Sequence, residues 1–173
     1  GSNSFYWDWK KGWTLSYSEL LSFLQKSNFL INGKTIETEQ EFRSLTKLNK
    51  KKNPFWRQVN RYNAKTPRYD KISDFAYAIK SQNAQAVFTL NLITSTIENE
   101  IEMLKEAQRN NIEIKYIELG NEINSENLIT KHFYPNAKAY ADTCIIWSLK
   151  ILKEFPNAKI GVVGGNKNKR MAQ

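Results

Sequence analysis

Ala86-Val87-Phe88-Thr89-Leu90-Asn91-Leu92, then Ile112 to Leu119 closed by Gly120-Asn121-Glu122, then Ile160-Gly161-Val162-Val163-Gly164, are three short β-prone runs in the second half of the chain. A short, nearly continuous apolar run bounded by turn residues reads as a strand buried in a parallel sheet. Between the first two runs, Ser95 and Glu98 form a capping-box pattern, and Ile97, Ile101, Leu104 and Ala107 repeat at helical spacing until Asn110-Asn111. Between the second and third, a helix is predicted from Asn136 to Lys153. Ala137, Tyr140, Ala141, Cys144, Ile145, Ser148, Ile151 and Leu152 lie along one side of it, and Pro156-Asn157 breaks it. A further helix, Ser73 to Ser81, precedes the first run, with Phe75, Ala78 and Ile79 expected inward. Alternating helix and strand with short connections demands a parallel sheet with helical crossovers. A doubly wound sheet and a (β/α)8 barrel both fit. Gly164-Gly165 lacks the rest of a phosphate-cradling glycine fingerprint, which tilts the expectation toward a barrel.

Working toward the amino terminus, regularity fades. Lys50-Lys51-Lys52-Asn53-Pro54 and Pro67 punctuate a stretch that mixes basic residues with Phe55, Trp56, Tyr62 and Tyr69. Before it, Thr38 and Glu41 give a capping box for a helix carrying Phe42, Leu45 and Leu48. Phe29 to Ile36 carries Asn32-Gly33 between β-prone residues and reads as a small hairpin. Ser16 and Glu19 form another capping box, followed by Leu20, Leu21 and Leu24 on one helix face. The opening, Ser4 to Trp13, is dense in aromatics and has no clear period.

Composition sets bounds. The chain has 173 residues, 40% of them hydrophobic and 25% charged, which is enough apolar matter for a core. No apolar run is long enough to span a bilayer. One cysteine, Cys144, excludes an internal disulfide framework and reads as a buried small hydrophobe. One histidine, His132, excludes a His-rich metal site and a histidine-based triad, and no cofactor motif is present. The net charge of +9 gathers partly in Lys47, Lys50, Lys51, Lys52, Arg57, Arg61, Lys65 and Arg68. A solvated surface, a hold on sulfated or uronic polysaccharide, and nucleic-acid binding compete for that cluster, and no nucleic-acid motif supports the third. Gly1 in place of an initiator Met, and an end soon after the third run, suggest a fragment of a larger fold.

In parallel α/β folds chemistry gathers at the carboxyl ends of the strands. Three such ends are legible: Asn91, the Glu118 to Glu122 string, and Gly164-Gly165-Asn166. The middle one carries most information, because a strand running into Asn-Glu sets an amide and a carboxyl together at the rim. A carboxyl can protonate a glycosidic oxygen while the amide holds a neighbouring hydroxyl.

Tyr116-Ile117-Glu118-Leu119-Gly120-Asn121-Glu122 resembles the fourth-strand motif of the retaining glycoside hydrolases of clan A, in the heparanase-like, agarase-like and α-L-arabinofuranosidase-like branches. The opening through Trp9 is similar to the end of the second strand in some members. The resemblance implies a TIM-barrel fragment covering about strands two to five, with residues 1–16 as the end of strand two and an aromatic loop. Residues 17–70 would be a basic, irregular α+β insertion, and 71–173 the remaining βα units. It implies an exported glycosidase acting on a polysaccharide or oligosaccharide, with Glu122 as general acid/base and Asn121 on the sugar hydroxyl beside the reacting carbon. The family's nucleophile, a Glu on a later strand, would be missing, so this chain alone would be inactive. Glu118 would be a supporting interior carboxylate. Asn91, Trp7 and Tyr134 are candidate substrate contacts, though capping, packing and anchoring the next helix are the alternatives for each. Trp9 and Trp13 share Trp7's two readings. A non-catalytic carbohydrate-binding relative and a basic nucleic-acid-binding domain remain the other readings of function.

Overall fold

The computed structural model describes residues 4–31, 33–38, 40–42, 71–125 and 128–164. The basic cluster from Lys47 to Arg68, Leu45 and Leu48, Asn32, and the Gly165-Asn166 end lie outside these residues. Two two-residue strands, β1 (Trp7–Asp8) and β2 (Trp13–Thr14), open the fold and are followed by α1 (Tyr17–Lys26). A second pair, β3 (Leu30–Ile31) and β4 (Lys34–Thr35), leads toward α2 (Ile72–Ser81). Then come β5 (Val87–Leu90), α3 (Ile97–Arg109), β6 (Tyr116–Leu119), α4 (Leu128–Phe133), α5 (Ala137–Glu154) and β7 (Lys159–Val162).

The regular half forms as its pattern demands. β5, β6 and β7 make one parallel sheet in that order, with Leu90, Leu119 and Val162 in one register row and Thr89, Glu118 and Gly161 in the next. Sequential order with right-handed crossovers puts α3 and α5 on the same face. Leu90, Ile117 and Leu119 are accordingly buried, while Val87 and Glu118, pointing the other way, are exposed. Burying each such side chain contributes about 1.5–3 kcal/mol. Ion pairs Lys105–Glu154 (2.6 Å) and Lys150–Glu98 (2.7 Å) join α3 to α5 at the surface.

The barrel expectation is overturned. Among the described residues the parallel sheet has three strands and does not close. The opening segment supplies no parallel strand to it. Trp7 pairs antiparallel with Thr14 and Asp8 with Trp13, forming a separate hairpin. The reason is local: Asp8 Oδ1 accepts from the Lys10 and Lys11 amides (2.9 and 3.4 Å), and Gly12 takes φ +66°, so the chain turns back at once. Among the described residues no (β/α)8 fragment is shown, and an α/β fold with one small parallel sheet and two antiparallel pairs stands in its place.

Smaller expectations shift by a residue or a face. Ser16 and Glu19 do form a reciprocal cap. Thr96, not Ser95, caps α3 and accepts from the Asn99 amide. On α2 Ile72 is buried and Ala76 and Ile79 are half-buried, whereas Phe75 and Ala78 are exposed. On α5 Tyr140, Cys144, Trp147 and Ile151 are buried, while Ile145 and Leu152 stay exposed. On α5 the apolar residues fall on more than one face, and the stripe of Tyr140, Cys144, Trp147 and Ile151 is the buried one. No helix among the described residues is long and apolar enough to cross a membrane.

Candidate functional site

The carboxyl ends of β5 and β6 are built differently. After β5, Asn91 is buried and every polar atom of its side chain is engaged. Its Oδ1 accepts from the Ile93 and Thr94 amides (3.2 and 3.0 Å). Its Nδ2 donates to Thr94 Oγ1 (2.8 Å) and to the Trp7 carbonyl (3.5 Å). Thr94 Oγ1 donates in turn to the Phe5 carbonyl. Asn91 thus ties the first hairpin to the sheet. Trp7 itself is half-buried and meets Phe75 edge-on at 6.2 Å between ring centres.

After β6 the chain turns sharply. Gly120 has φ +80°, and a Cβ placed there would lie 2.8 Å from Ile123 Cγ1, so only glycine fits. Asn121 is half-buried; its Nδ2 is out of reach of solvent and has no hydrogen-bond partner among the described residues. Glu122 is exposed and held at φ +48°, with its carbonyl accepting from the Ser125 amide (2.8 Å). Among the described residues three other non-glycine residues have positive φ: Asn28, Asn83 and Asn111. Each follows a helix, where an asparagine commonly takes the left-handed conformation. Glu122 is the exception, a side chain without asparagine's tolerance for that backbone, at the end of a strand.

Glu118 is exposed on the sheet face opposite Ile117 and Leu119, where Thr89 Oγ1 donates to its Oε2 (3.2 Å). Its partner is a neutral hydroxyl. Tyr134 is buried, and its hydroxyl donates to the Leu92 carbonyl (2.7 Å). Tyr140, 5.6 Å away ring to ring, donates to the Leu119 carbonyl (2.6 Å) and accepts from the Val163 amide (2.8 Å). These two phenols lace together the chain leaving all three parallel strands. Burial pushes both hydroxyls well above the usual tyrosine range.

Sequence reasoning missed Tyr140 as a tie and Glu100 altogether. A signal existed for each. A tyrosine on an apolar helix stripe needs a partner for its hydroxyl. Glu100 falls on the same stripe of α3 as Ile97, Leu104 and Ala107, where a carboxylate is out of place. Burial pushes Glu100 up to about 7, with Asp8 adding to the rise, against hydrogen bonds from Ser95 and the Asn91 amide. No group of three or more His, Cys, Asp or Glu able to hold a metal ion occurs among the described residues. His132 stands beside Phe29 and Phe133, its Nε2 2.9 Å from the Ser27 carbonyl, packing α4 on the segment after α1.

No protein-family model, no curated protein and no solved structure matches the chain.

Proposed function

We propose that the turn after β6 is the acid/base edge of a carbohydrate site, where Glu122 exchanges a proton with a glycosidic oxygen and Asn121 holds a neighbouring sugar hydroxyl. The observation that carries this reading is the left-handed backbone at Glu122. Strain of that kind at a non-glycine residue costs about 1–3 kcal/mol and collects at sites where a side chain must be aimed. The half-buried Asn121 beside it adds to it, since its amide nitrogen has no partner among the described residues and, turned outward, would find one in a ligand hydroxyl. The exposed Glu122 carboxyl is open to a ligand, as an acid/base group must be. The likeness of the Glu118 to Glu122 string to clan A glycosidases points to the same chemistry. Cleavage with retention also needs a second carboxyl about 5–5.5 Å from the first. Asn91 is given no substrate contact in this reading, because its side chain is spent on the loop.

Titration of the chain with neutral and with sulfated oligosaccharides, followed by NMR, tests the proposal. The Asn121 side-chain amide should shift on binding, and Asn121→Ala should weaken binding about tenfold, the value of one hydrogen bond of ordinary strength. Glu122→Gln should keep binding and lower any hydrolysis of unactivated glycosides by about 10²–10⁴-fold. Absence of binding to every sugar tried, or hydrolysis that ignores Glu122→Gln, would sink it.

A further inference from the structure

We propose that Glu100 is a proton-operated latch: when neutral it seats the Phe5–Thr14 hairpin on the carboxyl end of β5, and when ionised it loosens that hairpin. The hairpin is tied to the loop after β5 and to α3. Thr94 Oγ1 donates to the Phe5 carbonyl and Asn91 Nδ2 to the Trp7 carbonyl. Trp9 Nε1 donates to Asn99 Oδ1 (3.2 Å), and Asn99 Nδ2 donates to Ser95 Oγ (2.9 Å). Glu100 lies beneath this loop, only 3% exposed, and organises it: its Oε2 accepts from the Asn91 amide (3.0 Å), and the Ser95 hydroxyl also bonds to it.

The charges around Glu100 decide what its ionisation does. From the hairpin, Asp8 faces it and opposes a second negative charge. Lys11 pairs with Glu19 and, more loosely at 4.0 Å, with Asp8 itself, and Lys10 lies over the Trp9 ring. From α5, Lys150 pairs with Glu98 on the outer side of α3. On α2, Asp74 accepts from the Lys71 amide at its own helix start. Among the described residues, then, no cation is committed to a Glu100 carboxylate. Ionised, it would be a buried charge facing another carboxylate, and that is relieved by lifting the hairpin into water.

The direction of the pH dependence follows. With the hairpin seated, Glu100 titrates at about 7; released into water, it returns toward 4.5. The seated state therefore holds the proton over that window and the open state does not. Seating is strongest below about pH 4.5, weakens up to tenfold per pH unit as pH rises toward about 7, and is level above it.

Amide exchange corrected for intrinsic rates reads this directly. The Leu15 amide, which donates to the Tyr6 carbonyl (2.7 Å) and closes the hairpin, should lose protection over the window. The Leu104 amide, inside α3, should hold its protection. Glu100→Gln should make Leu15 protection independent of pH. Asp8→Asn removes the opposing charge, so levelling should begin at lower pH with a smaller total loss. Leu15 protection flat in the parent chain, or falling in step with Leu104, would overturn the latch. So would a Glu100→Gln chain that keeps the dependence. If Glu100→Gln does not fold, Asp8→Asn decides alone, and a window unmoved or moved upward would overturn it.

Discussion

Two asparagines stand at the carboxyl ends of adjacent parallel strands, and they have opposite fates. Asn91, after β5, spends both side-chain atoms on four hydrogen bonds, two of them to the backbone of its own loop and one to the first hairpin. Asn121, after β6, keeps a buried amide nitrogen with no partner among the described residues. The same residue type at the same topological station is a structural pin in one case and an unfilled donor in the other. Position at a strand end therefore does not make a functional residue. What separates the two is whether the surrounding structure already satisfies the side chain.

Mutation should separate them by stability. Asn91→Ala removes four bonds and leaves the Trp7 carbonyl and two loop amides without their partner, so we expect a loss of about 3 kcal/mol in denaturant unfolding. Asn121→Ala should cost under about 1 kcal/mol, because no bond among the described residues is lost and a buried unpaired donor is removed. Equal losses at the two sites would erase the distinction.

The tyrosine ties extend the comparison to all three strands. Tyr140→Phe removes the bond to the Leu119 carbonyl and the acceptor for the Val163 amide, and should cost about 2 kcal/mol. Tyr134→Phe removes the tie to the Leu92 carbonyl and should cost about 1 kcal/mol. A reversed order, read in the same unfolding assay, would show that β7 does not depend on Tyr140.

The parallel sheet was legible because its signal is periodic: β-prone runs bounded by turn residues, with amphipathic helices between them. The parallel strands and the spans of α2, α3 and α5 follow from that pattern to within a few residues, whereas the strand order and the short helix α4 do not. The barrel was not legible, since closure depends on strands that the pattern of three cannot supply. The amino-terminal hairpin was misread for a different reason. Its strands are two residues long, too short to show a period, and an Asp8 side-chain turn reverses them. Glu122 and Asn121 could be named from the string alone. That Glu122 is strained and Asn121 unpaired could not, because both are properties of the folded turn rather than of the string. Trp7 was readable as an aromatic near the rim, but its place against Phe75 comes from tertiary packing.

Turn geometry gives a finer probe of the β6 end. Gly120→Ala must take a positive φ and push against Ile123, and should cost about 1–2 kcal/mol or more. Gly164→Ala, with open space around it and no such φ, should change stability by less than about 0.5 kcal/mol. Similar values for the two would mean that the β6 turn can relax at little cost.

The smallest effect is the most telling, because its sign carries the argument. Glu122 holds φ +48° without glycine's freedom or asparagine's tolerance. Glu122→Gly should relieve that strain and raise stability by about 0.5–1 kcal/mol, less whatever the glycine gains in unfolded-chain entropy. Asn111→Gly, at a helix end where asparagine already suits the left-handed backbone, should change stability by only a few tenths of a kcal/mol. A residue that destabilises its own turn is hard to explain by folding, whereas a carboxyl that must be aimed at a ligand explains it. If Glu122→Gly lowers stability instead, the glutamate belongs with Asn91 as a structural pin, and the contrast between the two strand ends disappears.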